Sequence, residues 1–420
     1  MDNHALPLLK ETANKIAYNA SNLYAGYTKD DETTEAARLA MLDELMKLQQ
    51  LTMRPEEVMS QMAMVHQQFA SMHWLCHFRV PFHIPAQPSA IEYEEVASAA
   101  NVPVTMLQAV ARMAMTAGFL RETEQGELAH TSLSVLFADD GGDFRSWLIF
   151  TARRMLPASM KAVEATERWG DTRKVDETAY NLAAGTHLPF YEHINSSPEM
   201  AKEFEGYMKS RLVINPIITA DELISNFDWA RLGDGLVVDV GGGNGETAIR
   251  LAKALPQLSF VVQDVPHMVE VGKKAAANLP SAVASRLQFH VHDFFNEQPV
   301  KGASVYLMRG IMHNWPDEDA ATILRNIVAI IRPGTSILMI DTVLLPPGAI
   351  PASIEGMQRE NDMRMGHLMN TRERDLEAWQ KLLHSAGLKI QSLTRPGRRQ
   401  QSIVEAVLAG VDGSALRHED

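Results

Sequence analysis

The chain has 420 residues, 46% hydrophobic and 22% charged, with a net charge of −13 from 52 acids against 39 Lys plus Arg. At about 100–200 residues per domain, this length gives two or three domains, and the composition excludes a mainly disordered, collagen-like or coiled-coil protein. The acidic surplus makes a poor binder of nucleic acid or anionic membrane, and no window approaches the roughly 18 uncharged apolar residues of a membrane span. The single cysteine, Cys76, excludes an internal disulfide framework and any multi-cysteine metal centre. The opening residues lack a basic start followed by an apolar run, so the expectation is a soluble, cytoplasmic protein.

Residues 5–79 carry helical patterning. Leu39, Leu42 and Met46 recur at helical spacing, as do Met41, Leu45 and Leu48, with Asp43, Glu44 and Lys47 between them. A helical layer with so little chemistry is expected to pack against something, often a second subunit. Residues 84–137 read as a winged helix. Helices are predicted over Glu92–Ala100 and Thr105–Ala117, joined by Asn101-Val102-Pro103, and a hairpin turns at Gln125-Gly126. Such a unit can place its second helix in the major groove of DNA. The charges oppose that use here: Arg112 and Arg121 are the only Lys or Arg between 84 and 137, against six glutamates, whereas phosphate contacts dominate DNA affinity. Residues 144–230 are again helical and rich in Met and aromatic residues, among them Trp147, Phe150, Met160, Phe190, Tyr191, Phe204 and Met208. Most of these suit a core, but the same residue types line adaptable apolar pockets.

Beyond about 232 the pattern becomes strand–helix alternation. Strands are predicted at Leu236–Val240, Phe260–Val262, Leu287–Val291, Val305–Met308 and Ser336–Ile340. That alternation implies a parallel sheet with helices on both faces, which binds ligands at the carboxyl ends of its strands. Polar residues cluster at those ends. Asp239-Val240-Gly241-Gly242-Gly243-Asn244-Gly245 follows the first strand and opens a helix near Glu246. Glycines there let a ligand approach the backbone. Asp264 ends the second strand, where an acid accepts from ribose hydroxyls. Asp293-Phe294 ends the third, where a carboxylate can take an adenine amine and an aromatic can stack on the ring. Two cofactors compete for such a site. Gly243–Ala248 fits the G-x-G-x-x-A spacing of a dinucleotide loop, but Glu246 puts a negative charge where a pyrophosphate would sit. S-adenosylmethionine has no phosphate, and its ammonium and sulfonium groups tolerate nearby acids.

The stretch Met308-Arg309-Gly310-Ile311-Met312-His313-Asn314-Trp315-Pro316-Asp317-Glu318 follows the fourth strand and starts a helix near Pro316, with acids in its first turn. His313 thus lies just past a strand end, beside the proposed cofactor loop. Asp341, at the end of the fifth strand, and Glu373 are acids that could meet it.

With these motifs in order, the sequence resembles the caffeate-type O-methyltransferases of plants and their fungal and bacterial relatives over roughly residues 60–410, with the fungal branch nearest. The resemblance is carried by DVGGGNG at 239–245, QDVPHMVE at 263–270, HDFF at 292–295, MRGIMHNWPDE at 308–318 and RERDLEAWQKLLHSAGL at 372–388. NLAAGTHLPFYEHI at 181–194 also resembles the family's segment before the Rossmann-like domain. It implies an α/β fold: a Rossmann-like class I methyltransferase domain over 231–410, a helical extension over 1–60, a mainly α winged-helix dimerisation domain over 61–140, and a helical pocket region over 141–230. It implies a homodimer that binds S-adenosylmethionine and methylates a small-molecule hydroxyl, the phenol or enol of an aromatic or polyketide-type metabolite, without a metal. By position, Asp239, Gly241, Gly242 and Gly243 belong to the cofactor loop, Asp264 to the ribose, Asp293 and Phe294 to the adenine, and Arg309 to a basic position at the cofactor. His313 matches the general base, and Asp341 and Glu373 the acids that flank it. Two positions depart from the pattern: Asn314 stands where many relatives have Asp, and Gly310 where plant members often carry an aromatic. Some members of this fold have been repurposed for pericyclic or cyclisation steps with the cofactor kept as a bound cation. The presence of His313 favours methyl transfer. His73, Cys76 and His77 lie close together, but without a further ligand they read as helix core.

Overall fold

A computed structural model describes residues 5–26, 32–139, 142–214, 218–396 and 401–410. Their chain path divides into two compact units. One takes the described residues of 1–170, 179–215 and 351–355; the other takes those of 171–178, 216–350 and 356–420.

The first unit opens with three long helices, α1 (Ala5–Gly26), α2 (Glu32–Thr52) and α3 (Pro55–His77). A boundary drawn at residue 60 falls inside α3. Arg54 caps that helix, the Glu57 carboxylate accepting from its backbone N–H at 2.9 Å, and no breaker follows until Phe78. The carboxyl half of α3 packs into a core with α4 (Tyr93–Ala100), α5 (Val104–Met115) and the hairpin of β1 (Leu120–Glu122) and β2 (Leu128–His130). Asn101 ends α4 in the left-handed conformation, at φ 55°. In α5, Leu107, Ala111 and Ala114 face that core at helical spacing. Both arginines of this segment are used internally. Arg112 pairs with Glu122 at 3.0 Å, and Arg121 donates to the His130 carbonyl at 3.3 Å. Farther on, Phe150, Tyr180, Phe190, Phe204 and Tyr207 form a chain of ring contacts. Met160, Tyr191 and Met208 stay exposed.

The second unit is a seven-stranded sheet in the order β10-β11-β7-β6-β3-β4-β5. The strands are β3 (Leu236–Val240), β4 (Ser259–Asp264), β5 (Leu287–Val291), β6 (Val305–Arg309), β7 (Ser336–Asp341), β10 (Leu388–Thr394) and β11 (Ser402–Leu408). β3, β4, β5, β6 and β7 run parallel, with β5 at the sheet's edge, and fall where the apolar runs predict them. β3, β4, β6 and β7 read as nearly unbroken apolar runs because helices cover both faces. The sheet as a whole is mixed. β11 enters antiparallel between β7 and β10, so the parallel pattern stops at Asp341. β11 carries a buried acid, Glu405. It accepts from Ser336 Oγ at 2.7 Å and Ser392 Oγ at 3.0 Å and pairs with Arg231, which satisfies the charge. A separate two-residue parallel ladder joins β8 (Val343–Leu344) to β9 (Arg374–Asp375).

Switching from the order β7-β6 to β3-β4 places the ends of β3 and β6 side by side. At such a reversal the crevice outside the carboxyl ends is open for a ligand. Among the described residues no helix is long and apolar enough to cross a membrane.

Candidate active site

At the end of β3 the chain turns through Gly241–Gly245 into the helix Glu246–Ala254. The Gln263 carbonyl, at the end of β4, accepts from Gly241 N–H at 2.8 Å and Gly242 N–H at 3.1 Å, which folds the loop back over the sheet edge. Two glycines are required here for different reasons. Gly241 has φ +69°, and a Cβ on it would stand 2.6 Å from Ile311 Cδ1. A Cβ on Gly242 would stand 2.5 Å from Asp239 Cγ. Asp264 accepts from Gly243 N–H at 2.8 Å and from Val265 N–H at 2.7 Å. A carboxylate has about four acceptor positions, so capacity for further donors remains.

Asp239 is buried, and its Oδ2 has no hydrogen-bond partner among the described residues. Burial pushes its carboxyl up to about 7; Arg309 opposes that rise and Asp264 adds to it. Arg309 is itself half-buried. It donates to Thr247 Oγ1 at 3.2 Å and to the Ile218 carbonyl at 2.7 Å. Phe294 reaches the loop, its ring edge 3.6 Å from where a Gly241 Cβ would be. Asn326 holds the Phe294 carbonyl at 3.1 Å, and Phe294, Phe295 and Trp315 pack ring on ring. Asp293 stays on the surface and accepts from Phe295 N–H at 3.0 Å.

This loop fits S-adenosylmethionine better than a dinucleotide. A buried carboxylate with an unmet acceptor wants a cationic donor such as an ammonium. A pyrophosphate would face Asp239, Asp264 and Glu246 together.

His313 lies on the single 3₁₀ turn Met312–Asn314 after β6. Its Nδ1 is 2.8 Å from Asp341 Oδ1, at the end of β7, and 3.3 Å from Glu373 Oε1. Both carboxylates are buried, while the imidazole is about 20% exposed. Neither approach has hydrogen-bond alignment, so the attraction is chiefly charge on charge. Burial alone disfavours a charged ring; Asp341 and then Glu373 overcome it and hold His313 well above the usual histidine value. Asp341 Oδ2 also accepts from Met312 N–H at 3.0 Å, and Asn361 donates to Glu373 Oε1. Glu373 N–H donates to Asp362 at 2.9 Å.

The two departures now have local causes. Gly310 has φ +62°, where an L side chain costs about 1–2 kcal/mol. The Asn314 amide closes the turn onto the Gly310 carbonyl at 3.0 Å. Sequence reading assigned no part to Asn361, Thr247 or Arg374; nothing in their local pattern separates them from ordinary helix and loop polar residues.

The profile of the O-methyltransferase domain family matches residues 168–389. The O-methyltransferase VdtC of Byssochlamys spectabilis is 41% identical, across 90% of this chain and 87% of that one. The chain belongs to the S-adenosylmethionine-dependent O-methyltransferases. Among solved structures, this O-methyltransferase is similar to NcsB1, an O-methyltransferase from neocarzinostatin biosynthesis determined with S-adenosylmethionine and 2-hydroxy-5-methyl naphthoic acid. NcsB1 is 26% identical, across 82% of this chain and 96% of that one, with a TM-score of 0.65. A pericyclic reaction enzyme shares the fold at 20% identity, across 94% of this chain and all of the other, with a TM-score of 0.76.

Asp239 generates a testable prediction. Its folded value lies above the roughly 3.9 of an unfolded chain, so the native state holds the proton longer. Ligand-free stability should therefore fall as pH rises from about 4 to about 7 and then level off. Asp239→Asn should melt above wild type at pH 8, converge with it near pH 4, and bind S-adenosylmethionine about 1–3 kcal/mol more weakly. Melting curves that stay parallel at every pH would refute this account of Asp239.

Proposed function

We propose that this O-methyltransferase methylates a phenol or enol hydroxyl of a small aromatic or polyketide-type metabolite, as a cytoplasmic homodimer, with His313 as general base. The observation that carries the reading is the imidazole set between two buried carboxylates, Asp341 at the end of β7 and Glu373 just before β9, in the same unit as the glycine loop after β3. The hydroxynaphthoic acid found with NcsB1 supports the acceptor class.

S-adenosylmethionine, when bound, supplies an electrophilic methyl group. The loop, Asp264 and Phe294 bind and orient it, and Asp239 answers its positive charge with Arg309 limiting the cost of that buried acid. Asp293, on the same strand end as Phe294, would take part at the adenine. Because His313 Nδ1 faces Asp341 and Glu373, Nε2 is the nitrogen left to take the acceptor's proton. A phenol with pKa near 10 is a weak nucleophile at neutral pH, and a positioned base contributes roughly 10²–10⁴ in rate. The two carboxylates then stabilise the imidazolium that forms. They also hold the proton on the resting ring, so the active neutral form grows as pH rises through the raised His313 value.

His313→Ala should lose about 10²–10⁴-fold in turnover on weakly acidic phenols, with S-adenosylmethionine affinity nearly unchanged by calorimetry. The loss should shrink for acceptors acidic enough to be ionised already. In wild type, the rising limb of rate against pH should lie above the roughly 6.5 of an ordinary histidine, and Asp341→Asn should move it down. Full activity of His313→Ala on the weakest acids would remove the base assignment.

His313, Asp341 and Glu373 also present three potential metal-ligating atoms within 4.8 Å of one another. The 2.8 Å between Nδ1 and Asp341 is a charge-pair contact. A zinc ion with bonds of about 2.0–2.1 Å would need its ligand atoms farther apart than that. Methyl transfer should survive exhaustive chelation; activity that disappears with a chelator and returns with a divalent metal would contradict the acid–base role.

The dimer reading rests on α2 and α3. Leu42, Leu45 and Met46, and Val58, Met59, Met62 and Val65, are exposed at helical spacing, and obligate dimer interfaces are large and apolar. Light scattering at micromolar concentration should give twice the 46.6 kDa chain mass, and Met59→Lys with Met62→Lys should lower it. A wild-type monomer would overturn the assignment.

A further inference from the structure

A 3₁₀ turn of three residues has few hydrogen bonds of its own and cannot hold a catalytic side chain in place unaided. The turn that carries His313 is held from outside by one guanidinium. Arg374 is 2% exposed. Its Nη1 donates to the Met312 carbonyl at 2.7 Å and its Nη2 to the Trp315 carbonyl at 2.8 Å, on either side of His313. Its Nε donates to Asp317 Oδ1 at 2.8 Å, in the first turn of the helix that follows. The planar fork therefore fixes three acceptors along residues 312–317 relative to one another, which a point-charge ammonium cannot do.

Arg374 is also fixed from behind. Its guanidinium carbon lies 5.9 Å from the Trp379 ring centre, and Trp379 Nε1 donates to the Thr342 carbonyl at 3.0 Å. Thr342 follows Asp341, and Arg374 follows Glu373. The residues next to both acids thus belong to one packed circuit, and the circuit grips the backbone on both sides of the imidazole.

We infer that Arg374 is a positioning residue for methyl transfer: it fixes the His313 turn against Asp341 and Glu373, and so sets the ring's distance from both carboxylates. None of its described contacts is to the glycine loop, so it acts through His313 rather than on the cofactor. The inference rests on His313 being the base.

The test is a two-by-two set: wild type, Arg374→Lys, His313→Ala and the double variant, each assayed on a weakly acidic phenol and on an acceptor ionised at the assay pH. A misplacement near 1 Å can cost about 10²-fold. Arg374→Lys should lower kcat on the weak acid by about 10–100-fold, with KM for both substrates changed less than about threefold. The rising limb of its pH profile should move toward the ordinary histidine value, and the loss should be smaller on the ionised acceptor. In the His313→Ala background the same change should cost nothing further. Equal losses on both acceptors with an unmoved pH profile, or a full further loss in the His313→Ala background, would reduce Arg374 to a stabilising residue and overturn the inference. If His313→Ala keeps turnover, the base reading fails and this one with it; a deficient His313→Ala beside an unaffected Arg374→Lys sinks this one alone. Should Arg374→Lys not fold, Asp317→Asn loosens the same fork at its half-exposed end. It should shift the pH profile in the same direction by less, and an unmoved profile would count against the inference.

Discussion

Two carboxyl groups side by side in a protein interior cannot both be ionised unless something positive stands with them. Asp341 is fully buried and Glu373 nearly so, and an ionised acid taken out of water costs several kcal/mol even after relaxation. The His313 proton resolves this, which is why the ring titrates well above its usual range. The need to keep both carboxylates close to His313 Nδ1, at 2.8 and 3.3 Å, explains features that otherwise look incidental. The β8–β9 ladder is only two residues long, yet it pairs Val343 with Arg374 and Leu344 with Asp375. Asp341 lies two residues before the first strand and Glu373 one before the second. The ladder thus sets the spacing of the two acids, and the turn under Arg374 brings the imidazole to them.

How far this was legible in the sequence follows from where each signal is stored. Val237, Val238 and Val240 or Val305, Leu307 and Met308 are apolar without alternation because both faces are covered, so the parallel strands could be read directly. The acids and glycines at their ends could then be assigned to one crevice by the geometry of such sheets. The helix starts at Glu246 and Asp317 were readable from local chemistry. Strand direction is not stored locally, so β10 and β11 gave no sign that they would enter antiparallel. Glu405 inside β11 would even argue against burial until Arg231, Ser336 and Ser392 are seen around it. Arg374 was out of reach for a different reason. Two of its three acceptors are backbone carbonyls, which every residue has, and the third, Asp317, is shared with its neighbour Arg372, so no pairing in the sequence distinguishes the two arginines. That neighbour is exposed and bonds only the other oxygen of Asp317, at 2.9 Å, among its described contacts.

The fold by itself does not select the reaction, since a pericyclic enzyme has the same architecture. Selection lies in charge. The loop end of the sheet presents Asp239 with an unmet oxygen, Asp264 and Phe294, a set suited to a cationic nucleoside and hostile to phosphate. Beside them, after β6, His313 stands with Asp341 and Glu373. A bound cation alone would need only the first set. On the proposed reading, the second set takes the acceptor's proton as the new bond forms.

These two sets carry opposite costs for the folded chain. Asp239 and His313 are both most compatible with the native state when protonated. Asp239 ionises against burial, so stability declines from about pH 4 to about 7 as the unfolded chain releases its proton first. His313 gains stability from its two acids below its unfolded value of roughly 6.5, and loses it as pH rises through its higher folded value. Binding a cation needs Asp239 ionised, and accepting a proton needs His313 neutral. With the roles proposed for these two residues, the form competent for chemistry is less stable than the protonated resting form. A cationic ligand stabilises it by mass action at the loop and supplies the charge that Asp239 lacks. At His313 the proposed neutral ring keeps its remaining proton on Nδ1, toward the two acids. Asp341 at Met312 N–H and Arg374 at the Met312 and Trp315 carbonyls fix the turn's backbone, so the ring keeps one orientation whichever charge it carries.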